Sequence, residues 1–129
     1  MMKKAYLIIT ILTIWFITSC AAQNSANVLN PKAFSSKIAS AKNVTLVDVR
    51  TQGEYIQGHL KGSVNIDWNS GTFENSVSGF DRNKTYLVYC RSGHRSGLAA
   101  TWMREHGFKN VYELSGGISA WQSEGMPIE

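Results

Sequence analysis

The sequence predicts an α/β fold with a parallel sheet covered on both faces, and three observations lead there. Apolar runs at Val44 to Val49, Leu87 to Tyr89 and Asn110 to Leu114 are short and nearly continuous, as strands buried on two faces require. Segments with helix caps or helical spacing fall between them, the alternation that joins parallel strands through crossover helices. Residues 30 to 129 are of a length that suits one domain with one core.

Taken in order, Asn30 and Pro31 read as an N-cap followed by proline at the first helical position, with Phe34 and Ile38 on the buried face. Val44 to Val49 is a strand. Thr51 and Glu54 have capping-box spacing and open a brief helix carrying Tyr55 and Ile56. Gly58 to Ser63 is a turn cluster leading into a short strand at Val64 to Ile66. Over residues 69 to 83, Phe73, Val77 and Phe80 could line a helix, although three serines and two glycines weaken that pattern. The strand ending at Tyr89 precedes a helix from Ser96 through Arg104, with Leu98, Thr101 and Trp102 falling on one face. Gly107 closes that helix, Asn110 to Leu114 is another strand, and Gly116 and Gly117 open a last helix through Ile118, Ala120 and Trp121. Trp102 and Trp121 read as core anchors, whereas the sequence leaves Trp68 unassigned, the pocket edge being one place open to it.

Residues 1–19 read as a processing segment. Lys3 and Lys4 form a charged start, and Ala5 to Ile17 is an apolar stretch of signal-peptide length, short for a membrane span. Ile17-Thr18-Ser19-Cys20 resembles a bacterial lipobox, which makes Cys20 the expected lipid anchor; an ordinary secretory cut after Ala21 or Ala22 is the alternative. Residues 20–29 are small and polar without periodicity, as expected of a tether ahead of a domain at 30–129. The expected location is the cell envelope, lipid-anchored and facing the periplasm, or soluble in the periplasm if Cys20 is not lipidated. Without residues 1–19 the chain carries 11 basic and 9 acidic side chains, so the formal net charge falls from +4 to +2. With no basic run and no aromatic-basic stripe, nucleic acid is not an expected partner.

Cys20 and Cys90 are the two cysteines. With Cys20 lipidated, Cys90 is an unpaired thiol in an oxidising compartment, where its retention suggests that its chemistry is needed. It sits in Thr85 to Ser96, TYLVYCRSGHRS, at the end of an apolar strand and before a polar turn and helix. In α/β folds the crevice at the carboxyl ends of the strands holds ligands, and helix-opening amides favour anions there. Three features are expected to lower the thiol pKa: the positive end of the helix, the guanidinium groups of Arg91 and Arg95, and a loop whose amides turn inward, which Gly93 permits. An inert structural cysteine would sit among apolar neighbours instead. His59 reads as a turn-stabilising hydrogen bonder, His94 as facing solvent or substrate, and His106 as a helix-terminal cation. These histidines lack metal-ligand spacing, so neither a metal nor a cofactor is expected.

Three blocks resemble the rhodanese family of sulfurtransferases over residues 30 to 127. Leu46-Val47-Asp48-Val49-Arg50 with Glu54-Tyr55, Gly58-His59-Leu60, Gly62-Ser63 and Val64-Asn65-Ile66 is similar to its amino-terminal signature. Cys90-Arg91-Ser92-Gly93-His94-Arg95-Ser96 resembles its active-site loop, and Gly116-Gly117-Ile118-Ser119-Ala120-Trp121 with Gly125-Met126-Pro127 its carboxy-terminal signature. The resemblance implies the rhodanese-like three-layer fold and ping-pong sulfur transfer through a Cys90 persulfide, from a donor such as thiosulfate to cyanide in vitro or a thiol or protein acceptor. It implies that amides from Arg91 to Ser96 hold the persulfide anion and that Arg91 and Arg95 hold an anionic donor; Asp48 and Arg50, at the mouth of a neighbouring strand, read as supporting the loop by hydrogen bonds, with a plain ion pair as the alternative. A monomer is expected.

Two other readings compete. Dual-specificity phosphatases of the same fold use a cysteine before an arginine-ended loop, but with five intervening residues where Cys90 and Arg95 have four between them. A shorter loop makes a smaller anion cradle, better fitted to a persulfide than to a phosphate tetrahedron. Non-catalytic rhodanese-like binding modules commonly lack the cysteine that this chain keeps.

Overall fold

A computed structural model describes residues 27–129; the processing segment, Cys20 and most of the tether lie outside the described residues. The elements follow in the order β1 (Val28–Leu29), α1 (Pro31–Ser40), β2 (Val44–Asp48), α2 (Gln52–Gln57), β3 (Val64–Asn65), a 3-10 turn (Trp68–Ser70), α3 (Phe73–Val77), β4 (Thr85–Tyr89), α4 (His94–Glu105), β5 (Asn110–Leu114) and α5 (Gly117–Ser123). The five strands form one sheet in the order β1-β5-β4-β2-β3, and every pairing is parallel.

Side-chain alternation divides the core into two layers. Val47, Val49, Tyr86, Val88, Cys90 and Val111 face α3 and α4, where they meet Phe73, Val77, Ala99, Ala100 and Met103. Leu46, Leu87, Tyr89 and Leu114 face the other way onto Phe34 of α1 and Ile118 and Trp121 of α5. The parallel sheet with helices on both faces is thus the architecture expected. Caps behave as their residues dictate: the Ala33 amide donates to Asn30 Oδ1 at 2.8 Å, and Thr51 and Glu54 form a complete capping box on α2.

Three local expectations are corrected. The tether ends early, because Val28 and Leu29 pair with Glu113 and Leu114 as β1; two residues carry no periodicity by which to be seen. Helix α4 begins at His94, so His94 and Arg95 belong to its first turn. Its buried face is Ser96, Ala99, Ala100 and Met103, while Leu98 is 45 % exposed. Small side chains let a helix lie close to a sheet but carry little hydrophobic signal, so the larger Leu98 and Trp102 misdirect the pattern. Residues 69 to 83 resolve into the 3-10 turn and the five-residue α3, with Phe73 and Val77 buried. Trp68 packs edge-on against Phe73 with centroids 5.0 Å apart and joins the core layer of α3 and α4.

Candidate active site

Strand β4 is central in the sheet and delivers Cys90 to its carboxyl edge, directly after Tyr89. The Gly93 amide donates to Cys90 Sγ at 3.0 Å, and Sγ lies 3.5 Å from Ser96 Oγ. That hydroxyl donates to the Gly93 carbonyl at 3.2 Å and can turn its proton to the sulfur when the thiol ionises. Gly93 makes the geometry available by taking φ 109° as the N-cap of α4. Burial by itself raises the Cys90 pKa, but bonds from the Ser96 hydroxyl and from the Ser96, Gly93 and Ser92 amides outweigh it and leave the thiol below its ordinary value.

Cys90 is only 1 % exposed, more buried than its polar following sequence suggests. Its sulfur stands at the floor of the loop, with a core layer behind it and amides in front.

The loop is clamped from behind by α5. The Ile118 amide donates to the Cys90 carbonyl at 2.9 Å and the Ser119 amide to the Arg91 carbonyl at 3.1 Å. Gly116 and Gly117 both take left-handed backbone, φ 71° and 60°, which turns β5 into α5 and brings that helix end against the loop.

Arg95 is placed differently from the expectation that it holds an anionic donor. Its Nη1 donates to Glu54 Oε2 at 2.8 Å and its Nη2 to Glu54 Oε1 at 2.9 Å, a two-pronged ion pair. The Arg95 guanidinium, helped by the Thr51 amide and hydroxyl, holds the Glu54 carboxyl down at about 2 despite some burial. Glu54 is the residue that sequence reasoning missed: its capping-box role explains it fully, and nothing in the pattern announces a partner 41 positions away. Arg91 is exposed, with no hydrogen bond or ion pair from its side chain among the described residues. It borders a cleft of about 360 Å³ that is also lined by Arg50, Glu54, Gln57, Ser119 and Gln122.

Asp48 and Arg50 form a closed buried pair instead of reaching the loop. Arg50 Nη2 donates to Asp48 Oδ2 at 2.7 Å and to the Gly58 carbonyl at 2.7 Å, and the two residues are 0 % and 5 % exposed. Their contribution is to pin the end of β2 to the end of α2, the helix that carries Glu54. His94 is exposed. His59 stacks on Tyr55 at 3.9 Å and exchanges backbone bonds with Glu129. Exposed His106 stacks on Trp102 at 3.9 Å, as the C-cap of α4. Among the described residues no three His, Cys, Asp or Glu side chains are grouped to hold a metal.

A family model described as the rhodanese-like domain matches residues 30–124, which include the amino-terminal signature, the Cys90 loop and the Gly116 to Trp121 part of the carboxy-terminal signature. The chain belongs to the rhodanese-like domain family. This rhodanese-like domain is 31 % identical over 102 residues to a sulfurtransferase of Allochromatium vinosum, covering 79 % of this chain and 94 % of the relative. It is 34 % identical over 85 residues to the thiosulfate sulfurtransferase GlpE of Shewanella oneidensis, covering 66 % of this chain and 82 % of that one. Among solved structures it is similar to a Rhodopseudomonas palustris protein of unknown function named as a possible tyrosine phosphatase, with TM-score 0.71, 27 % identity, and coverage of 84 % and 89 % of the two chains.

Proposed function

We propose that this domain is a sulfurtransferase that carries sulfane sulfur on Cys90. The observation that carries the reading is the thiol itself: buried, yet held below its ordinary pKa by the Ser96 hydroxyl and inward amides. The Cys90 thiolate attacks the outer sulfur of a donor such as thiosulfate; an S–S bond forms, the donor's S–S bond breaks, and sulfite leaves with the electron pair. The same amides that favour the thiolate favour the terminal persulfide anion. An acceptor nucleophile then attacks the outer sulfur, breaking the persulfide bond and returning Cys90 as thiolate, with thiocyanate the product when cyanide is the acceptor. Arg91 is the cation placed to attract the anionic donor. Sulfurtransferase relatives at about the same similarity support the reading.

The phosphatase alternative needs the larger cradle of a loop with five residues between cysteine and arginine, and Cys90 and Arg95 have four between them. The test is intact-mass spectrometry before and after thiosulfate, beside Cys90→Ser, followed by thiocyanate release on adding cyanide. Gain of one sulfur atom that depends on Cys90 and is discharged by cyanide is expected; no gain by a folded protein, or phosphate-ester hydrolysis exceeding sulfur transfer, overturns the reading. We also propose that Cys20, in its lipobox-like setting, anchors the domain to a membrane of the cell envelope.

A further inference from the structure

We propose that the amino edge of the sheet is a membrane-docking surface, on which Lys42, Lys84 and Lys109 rest against anionic phospholipid headgroups while Cys90 faces away from the bilayer. The inference deepens the reading of Cys20 as the lipid anchor and rests on it. Strand register brings the three lysines together. Thr85 of β4 is level with Val44 of β2 and with Asn110 of β5, so Lys84 and Lys109 directly precede neighbouring strands, and only Asn43 separates Lys42 from β2. Bonds between the loops hold this edge in shape. The Thr85 amide donates to the Asn43 carbonyl at 3.4 Å and the Lys109 amide to the Arg82 carbonyl at 3.1 Å, and Asn110 Nδ2 donates to the Asn83 carbonyl at 3.1 Å. All three lysines are exposed, and none forms an ion pair among the described residues. Arg82, its guanidinium 4.4 Å over the Phe108 ring, adds its charge to the same end, where these cations outnumber the neighbouring Asp81 and Glu105.

The direction of β1 favours the same edge. It runs parallel to β5 with Val28 level with Glu113, and the Glu113 amide donates to the Asn27 carbonyl at 2.8 Å, so Asn27 begins a strand that points away from the amino edge. Cys20 lies seven residues before Asn27, a reach of at most about 25 Å, which holds an acylated chain within range of the charge on a bilayer. Each lysine brought to an anionic surface strengthens binding about fivefold. The carboxyl edge offers less, because Arg50 is paired with Asp48 and Arg95 with Glu54. The five residues of β4 separate the two edges by about 17 Å, about two Debye lengths at physiological salt. Docking through the lysines therefore leaves the Cys90 loop outside the negative field of the membrane, where an anionic donor reaches it without repulsion.

The test is lysine acetylation by a water-soluble succinimidyl ester, read residue by residue by peptide mass spectrometry. The full chain is expressed, extracted in detergent and reconstituted into vesicles of phosphatidylethanolamine and phosphatidylglycerol. Lys32 and Lys61 serve as internal references at the other edge. Lys32 is in the first turn of α1, just past the carboxyl end of β1, and Lys61 follows Leu60, whose amide donates to Tyr89 Oη at 3.1 Å. Acetylation of Lys42, Lys84 and Lys109 is expected to be about fivefold slower on the vesicles than in detergent, with Lys32 and Lys61 unchanged. The difference should vanish on phosphatidylcholine vesicles and in about 0.5 M salt. In a chain carrying Lys84→Gln and Lys109→Gln, Lys42 should lose its protection. Equal rates at all of these lysines, or protection of Lys32 and Lys61 instead, overturns the proposal. Protection of the three lysines already in detergent marks a second copy of this chain as the occupant and overturns it too. Intact mass of the same preparation reports separately on the anchor, since a chain without acyl mass counts against lipidation of Cys20. Such a chain, if it still shows the lysine pattern at vesicle concentrations that bind it through charge alone, upholds the surface and overturns only the anchor; without that pattern, both fall.

Discussion

Gly117 lies against the backbone carbonyls of Cys90 and Arg91. A Cβ on Gly117 would stand 2.5 Å from the Cys90 carbonyl oxygen and closer still to the Arg91 carbonyl, and its φ of 60° is left-handed. Gly117→Ala is therefore expected to lose about 3 kcal/mol, from strained backbone and overpacking together. Gly62→Ala is the control, because Gly62 also has positive φ, 81°, but its Cβ would meet nothing within 4 Å. It should lose only about 1 kcal/mol, with persulfide formation retained. Urea denaturation and sulfur loading of both variants check the difference.

Alkylation of Cys90 should follow its thiolate, with a midpoint below that of the same cysteine in the unfolded chain. Ser96→Ala removes the hydroxyl, while the Gly93 carbonyl keeps the Gly97 amide as a donor at 3.0 Å. The midpoint is expected to rise by about one pH unit, the effect of one hydrogen bond to a charged group. Because the folded pKa is the lower one, Cys90 ionisation adds stability as pH rises through it, in full above the unfolded thiol pKa, and the increment is lost as pH falls through it. A pH series of alkylation rates with and without Ser96→Ala decides the point.

Asp48→Ala leaves Arg50 charged in a site where it is 5 % exposed. The expected loss is about 3 to 5 kcal/mol. Replacing both residues by Asp48→Leu and Arg50→Met should cost less than the sum of the Asp48→Leu and Arg50→Met losses, because no buried charge remains and what is left is the Gly58 carbonyl losing its donor and the Arg50 amide its acceptor. Chemical denaturation of the four proteins in a double-mutant cycle measures the coupling.

Glu54 supplies a pH dependence of its own. Its carboxyl is held down at about 2, below the ordinary carboxylate value, so the stability it contributes is complete above about pH 5 and is lost as pH falls toward 2. The stability difference between the natural chain and Glu54→Gln should be level above that pH and shrink on acidification. Raised salt should reduce it, since the pair is partly exposed. Denaturation curves at several pH values and two salt concentrations test both trends.

Lipid attachment at Cys20 predicts that globomycin, which blocks lipoprotein signal cleavage, traps the unprocessed chain. Cys20→Ala should likewise abolish membrane fractionation. A product of normal mature size under the drug would instead indicate secretory cleavage, with the domain released into the periplasm.

The sequence by itself determined strands β2 to β5, the caps and the ordering of the three signature blocks. These depend on neighbours in the chain: Asn30 before Pro31, Thr51 three residues before Glu54, apolar runs broken by glycine. It also determined that Cys90 ends a strand in front of a helix. Only the tertiary structure decided what the sulfur and its neighbours touch. Parallel strands bring residues far apart in sequence to one edge of the sheet, so the clamp of Gly117 and Ile118 on the loop appears only once the strands are aligned. The engagement of Arg95 by Glu54 is of the same kind: two charges 41 residues apart become partners because α2 and α4 begin at the same edge, and short-range patterning carries no record of such a pairing.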